Sequence, residues 1–138
     1  MIGGRRCWRY TSRIYLRVFI KINNNKSISY LFNYPQIQGL ILETYGSGNV
    51  TTQSWFISGL KKVVARGIPV INVTRGSGGS VNMGLYETSM ELKKLGVISG
   101  KDITTEAALA KLMYLLGQGI SAESFRTIFE TSLRGEMS

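Results

Sequence analysis

Two apolar stretches that each break into a Gly-rich polar turn constrain this chain more than any other feature. The first is Leu40-Ile41-Leu42-Glu43-Thr44 running into Tyr45-Gly46-Ser47-Gly48-Asn49. The second is Ile68-Pro69-Val70-Ile71-Asn72-Val73 running into Thr74-Arg75-Gly76-Ser77-Gly78-Gly79-Ser80. A buried β-type run that ends in small residues is how an open α/β sheet feeds its ligand-facing loops. The chain is therefore expected to present backbone N–H groups, Ser and Asn at two strand ends to something small and polar. What is missing constrains it as well: there is no His, and no evident nucleophile–base pair.

The 138 residues suffice for one domain. The formal charge of +9 points to an anionic partner until its distribution is examined. Residues 1–42 carry Arg5, Arg6, Arg9, Arg13, Arg17, Lys21 and Lys26 and no acid, whereas ten Lys/Arg face eight Asp/Glu from Glu43 onward. The basicity thus belongs to an N-terminal tail. Trp8, Tyr10, Tyr15 and Phe19 interleave with its Arg in the manner of a crude single-strand nucleic-acid stripe. The composition favours an unselected or poorly folded extension over that reading, so nucleic acid is a disfavoured partner.

Cys7 is the only cysteine, which rules out an intrachain disulfide and zinc sites built from Cys and His. No apolar run approaches the ~18 to 20 residues of a spanning helix, nor the unbroken core of a signal peptide. A cytoplasmic protein without a membrane partner, metal or cofactor is expected.

The tail is read as residues 1–37, with an alternating edge-strand pattern over Arg13–Ile22, and the globular part as 38–138. Gly39–Thr44 and Ile68–Val73 read as strands, and Val97-Ile98-Ser99 as a short third. Between the first two, Thr51 or Thr52 is expected to cap a helix with Phe56, Leu60 and Val64 on one face, stopped by Gly67. A helix over Leu85–Leu95 closes at Gly96. Thr104 caps another over Thr105–Leu116, stopped by Gly117, with Ala108, Leu112 and Leu115 in one row and Leu109, Met113 and Leu116 in a second. Ser121 caps the last, where Phe125, Ile128, Phe129 and Leu133 recur at helical spacing. Met83, Met90 and Met113 read as core fillers. Alternating strands and helices give an α/β fold: a small three-layer α/β/α domain with a short parallel sheet.

In the first turn, Gly46 and Gly48 let the backbone bend sharply, and Ser47 and Asn49 supply short hydrogen-bonding side chains ahead of a helix N-terminus. The same composition also serves any ordinary βα connection. The second turn is neither the dinucleotide fingerprint, since its third Gly is misplaced, nor a P-loop, since no Gly-Lys-Ser/Thr comes after it. Glu87 and Glu91 lie one helical turn apart, but Lys93 and Lys94 beside them mark a solvated face.

From Gln38 onward the chain resembles the C-terminal domain of bacterial type I (cytoplasmic) L-asparaginases. The segments that carry the resemblance are GLILETYGSGNVTT, GIPVINVT, GLYETS, GVISG, KDITTEAALAKLMYLLGQG and the closing SLRGEMS, in family order. The resemblance implies a parallel α/β/α domain that packs on a larger N-terminal domain in an oligomer hydrolysing L-asparagine to L-aspartate and ammonia. It also implies that the Thr and Thr-Asp-Lys catalytic groups lie in that larger domain, so this chain has no catalytic residue. By the same resemblance Asn49, with Ser47, reaches toward a neighbouring subunit's substrate, while Glu43, Thr74, Arg75 and Gly76 fall where effector contacts occur. Two of these depart from the family pattern: Glu43 stands where some relatives have Arg, and Gly76 where they have Cys.

The expected function is a detached C-terminal asparaginase domain, truncated and inactive alone, whose partners are L-asparagine, a catalytic N-terminal domain and copies of itself. The alternative is a non-catalytic module that docks on an intact asparaginase or a separate N-terminal half.

Overall fold

Val70–Thr74 is buried along its whole length, and it occupies the middle of the sheet for that reason. The computed structural model describes residues 14–19, 25–76, 79–84 and 86–138. Its elements run β1 (Ile14–Phe19), α1 (Asn25–Phe32), β2 (Ile37–Thr44), α2 (Ser54–Ala65), β3 (Val70–Thr74), α3 (Glu87–Leu95), β4 (Ile98–Ser99), α4 (Thr105–Gly117) and α5 (Ala122–Phe129). The four strands lie in the order β1-β2-β3-β4, all parallel, with Leu40 opposite Val70 and Ile71 opposite Ile98. Sequential parallel strands with same-handed crossovers send every crossing helix to one face. The core obeys that rule. Leu40 and Leu42 meet Ile28 and Phe32 of α1, Phe56, Leu60 and Val63 of α2, and Leu92 of α3. The opposite face is left for the two helices after the last strand. There Ile41, Ile71 and Val73 meet Ala108, Leu112 and Leu115 of α4, with Phe125 and Phe129 of α5. The three-layer α/β/α reading is the observed fold.

Close packing fixes the α4 layer against β2. A Cβ at Gly39 would stand 2.8 Å from a Leu112 methyl, so any larger residue would have to push that side chain aside. The caps at Thr104 and Ser121 are as expected: each side-chain oxygen accepts a backbone N–H three residues on, from Ala107 and Ser124.

Several expectations need correction. Residues 1–37 are not all a tail outside the domain. β1 pairs with β2, α1 buries Ile28 and Phe32, and Arg66 at the end of α2 donates to the carbonyls of Phe32, Tyr34 and Pro35. Apolar spacing in α1 is short and polar-flanked, which hid it beneath the basic composition. Residues 1–13 and 20–24, with Trp8 and Tyr10 of the aromatic stripe, lie outside the described residues. Neither Thr51 nor Thr52 caps α2. Gln53 holds that position without a side-chain capping bond, its Oε1 accepting from Trp55 Nε1 instead, and Thr51 Oγ1 accepts from Gln53 N. α4 continues through Gly117, and the left-handed residue that ends it is Gly119 at φ 67°. α5 stops at Phe129, which leaves Leu133 exposed. Met90 and Met113 are exposed as well, and only Met83 of the three methionines fills the core.

Candidate functional site

The carboxyl ends of β2 and β3 carry the Gly-rich turn, and its shape is set from beneath by three neutral polar side chains. Asn72 is fully buried in β3. Its Oδ1 accepts from Thr44 Oγ1 at 2.8 Å, and its Nδ2 donates to Gly48 O at 3.1 Å. Thr74 Oγ1 donates to Gly46 O at 2.7 Å and accepts from Gly76 N at 3.1 Å. The turn closes on itself through Gly48 N and Asn49 N, both donating to Tyr45 O. On its outer side Ser47 O accepts from Asn82 N. A buried amide in an apolar strand is costly unless both its ends are satisfied. Here both ends are used, and what they hold is the carbonyl pattern of the turn.

Glycine is required at position 48. Its φ of 104° is left-handed, and a Cβ there would come within 2.9 Å of Asn72 Nδ2 and 2.8 Å of a Val81 methyl. Pinned in this way, the turn leaves Ser47 half-buried and Asn49 exposed. An amide and a hydroxyl at that rim offer donors and acceptors to a small polar ligand.

The expected effector residues also come together. Glu43, buried at the end of β2, has a carboxylate oxygen 4.0 Å from Arg75 Nε, and the Arg75 guanidinium lies 5.9 Å from the centre of the Tyr45 ring. Thr74 and Gly76 are joined by the hydrogen bond above. Thus Glu43, Thr74, Arg75 and Gly76 form one cluster beside the turn that bears Ser47 and Asn49. Residues 77 and 78 of the second turn lie outside the described residues.

Two parts of this region were not foreseen. Asn72 had a signal in the sequence: Asn is depleted in strands, and one amid Val and Ile must find partners. The second part is the corner Gly100-Lys101-Asp102 after β4. Gly100 N donates to Asn72 O, and Lys101 O accepts from Val81 N, both at 2.8 Å. Asp102 accepts from Ser138 N and Oγ, and these bonds hold its carboxyl below the ordinary range. Among the described residues no group of three His, Cys, Asp or Glu side chains could hold a metal ion.

Such a geometry defines a class: an α/β domain that presents a rigid, glycine-shaped polar turn at its strand ends. The chain belongs to the Glutaminase/Asparaginase C-terminal domain family, whose sequence profile matches residues 16–129. That match begins upstream of residue 38, within the stretch read as a tail. L-asparaginase 1 of Escherichia coli (strain K12) is 44% identical over 101 residues, covering 73% of this chain and 30% of that protein. The 60 kDa lysophospholipase of Homo sapiens is 41% identical over 107 residues, 77% of this chain and 18% of that protein. Among solved structures, L-asparaginase I from Vibrio cholerae superposes with a TM-score of 0.81 at 38% identity, covering 90% of this chain and 37% of that one. The chain therefore spans well under half the length of these relatives. No helix among the described residues is long and apolar enough to cross a membrane.

Proposed function

We propose that this domain serves as the C-terminal lobe of a cytoplasmic amidohydrolase acting on L-asparagine, in which it shapes the rim of the ligand site and supplies oligomer contacts but performs no bond chemistry. The observation that carries this reading is the neutral network beneath the turn: Thr44, Asn72 and Thr74 fix the backbone that carries half-buried Ser47 and exposed Asn49. A rim of this kind binds without reorganising, and it places a primary amide where the amide or carboxylate of a small amino acid can pair with it. General acid–base work at an amide needs a positioned group that gives and takes a proton, and His, the side chain most often used, does not occur in the sequence. The nearest charged side chains, Glu43 and Arg75, face each other. In this reading Arg75 would take an effector's carboxylate, with Glu43 setting the guanidinium's orientation and the Thr74–Gly76 bond fixing the loop that carries it.

The test is ammonia release from L-asparagine by the purified chain, alone and mixed with a separately produced N-terminal domain from the family. No turnover alone and turnover on mixing, weakened by Asn49→Ala, is the expected result. Turnover by the chain alone, with host enzyme excluded, overturns the non-catalytic reading. Association with the N-terminal domain without turnover would favour the alternative, a docking module.

A further inference from the structure

Lys101 is the one non-glycine residue in left-handed backbone among the described residues, at φ 52°. A long side chain adopts that conformation only where its surroundings hold it, at a cost of order 1 kcal/mol or more. Three contacts hold it. Its N–H donates to Ser99 Oγ at 3.1 Å, its carbonyl accepts from Val81 N at 2.8 Å, and its ammonium donates to the carbonyl of Glu130, the C-cap of α5, at 2.8 Å. Ser99 Oγ in turn donates to Val81 O at 3.0 Å, so Val81 is bonded on both its N–H and its C=O. The next residue, Asn82, donates to Ser47 O at 3.1 Å, and the Val81 side chain is what a Cβ at Gly48 would strike. From Glu130 to Ser47 there is thus an unbroken path through Lys101 and Val81-Asn82, and it ends on the turn.

We infer that Lys101 is a positioning residue: tied to the C-terminal end of α5, its left-handed corner fixes the Val81-Asn82 segment and through it the Ser47–Asn49 turn. The inference rests on the reading of that turn as a ligand rim. The cation sits where the helix dipole and the orphan carbonyls of α5 favour it. A methionine would keep the stem and lose the three donors, whereas an arginine would keep a donor within reach.

The test is amide hydrogen exchange on the full chain, which reads the turn directly and does not depend on turnover. It can therefore fail while the lobe reading stands, or succeed while that reading falls. In Lys101→Met, the Val81, Asn82 and Gly48 amides should exchange about tenfold faster while those of Ile41 and Ile71 keep their protection. Lys101→Arg should restore most of the loss. If Lys101→Met does not fold, Ser99→Ala carries the same test, because it cuts the bond to the Lys101 N–H and the bond to Val81 O. Unchanged exchange at Val81 and Asn82, acceleration spread evenly over β2 and β3, or no rescue by arginine would each overturn the inference.

Discussion

The turn after β2 and the segment after α5 both bury polar side chains, but they do so with different chemistry. Beneath the turn every partner is neutral: Thr44, Asn72, Thr74 and backbone carbonyls. After α5 the partners are charged. Lys111 projects from the buried face of α4, its side chain 3% exposed, and its ammonium donates to Thr131 O, Glu136 Oε1 and Met137 Sδ, 5.2 Å from the centre of the Phe129 ring. Glu136 also accepts from the backbone N–H groups of Leu133 and Arg134, so one carboxylate both pairs a buried cation and shapes its own turn. A neutral network fixes geometry without depending on pH, which suits a surface that must keep its shape against a ligand. A charged one is stronger per contact and dearer to bury, and it ties that strength to protonation. The Lys111–Glu136 cross-link serves the C-terminal segment, whereas the turn rests on neutral groups with the Glu43–Arg75 pair beside it.

The largest stability change should come from breaking the neutral network. Asn72→Ala strands Gly48 O in a buried setting, removes one of the two acceptors of the Thr44 hydroxyl and leaves a small void. A loss of about 2–3 kcal/mol is expected from unsatisfied buried groups, measured by urea unfolding. Lys111→Met should cost less, about 1–2 kcal/mol, because the thioether chain fills the same volume while Glu136, nearer the surface, keeps its backbone donors and regains water. If the order of these two variants were reversed, charge rather than neutral bonding would be the stronger fastener here.

Acid separates the two regions next. Glu136 is held well below its ordinary value near 4.5, first by Lys111 and then by the Leu133 and Arg134 amides. A lowered carboxylate binds fewer protons folded than unfolded, so its contribution is complete above that ordinary value and is lost as pH falls below it. Stability should therefore decline on acidification below about pH 4.5, with Asp102 adding in the same direction. Glu136→Gln should flatten that decline, while Asn72→Ala should shift the whole curve down without changing its slope. Denaturant titrations between pH 6 and 3 would check both.

How much of this could be read in the residues differs between the same two regions. Strand–turn segments announce themselves because buried parallel strands are nearly continuous apolar runs and the turn needs Gly at fixed places; Gly46 and Gly48 are both left-handed, at 57° and 104°. Their pattern put Ser47, Asn49 and Arg75 in turns at two strand ends, and the family resemblance singled out Glu43, Thr74 and Gly76 beside them. The charged fastening was not legible. Lys111 falls on the row Ala108, Leu112, Leu115, a charge at an apolar position, and that was its only signal. Its partner lies 25 residues on, beyond the reach of any local pattern. β1 was foreseen as an edge strand by alternation, but α1 was masked by Asn and Lys around its few apolar residues. Met113 and Leu133 fit a helical period yet face solvent, because periodicity identifies a stripe without saying where the helix stops or which stripe the sheet will cover.

The smallest stability effect should belong to the residue with the largest functional one. Asn49 is exposed, and its backbone N–H, not its side chain, closes the turn on Tyr45 O. Asn49→Ala keeps that bond and should cost less stability than Asn72→Ala, at most the ~1 kcal/mol of an exposed side-chain hydrogen bond. In the chain reconstituted with an N-terminal domain, the same change should lower kcat/KM for L-asparagine by roughly tenfold or more, the worth of one or two hydrogen bonds to a polar ligand. Asn72→Ala should lower it too, but together with stability, since it loosens the turn that carries Asn49. A rim residue and the residue beneath it are thus told apart by whether activity and stability fall separately or in step. If Asn49→Ala were neutral in the reconstituted enzyme, the turn would be a connection like any other between a strand and a helix, and its glycines would answer only to the packing of Val81 and Asn72.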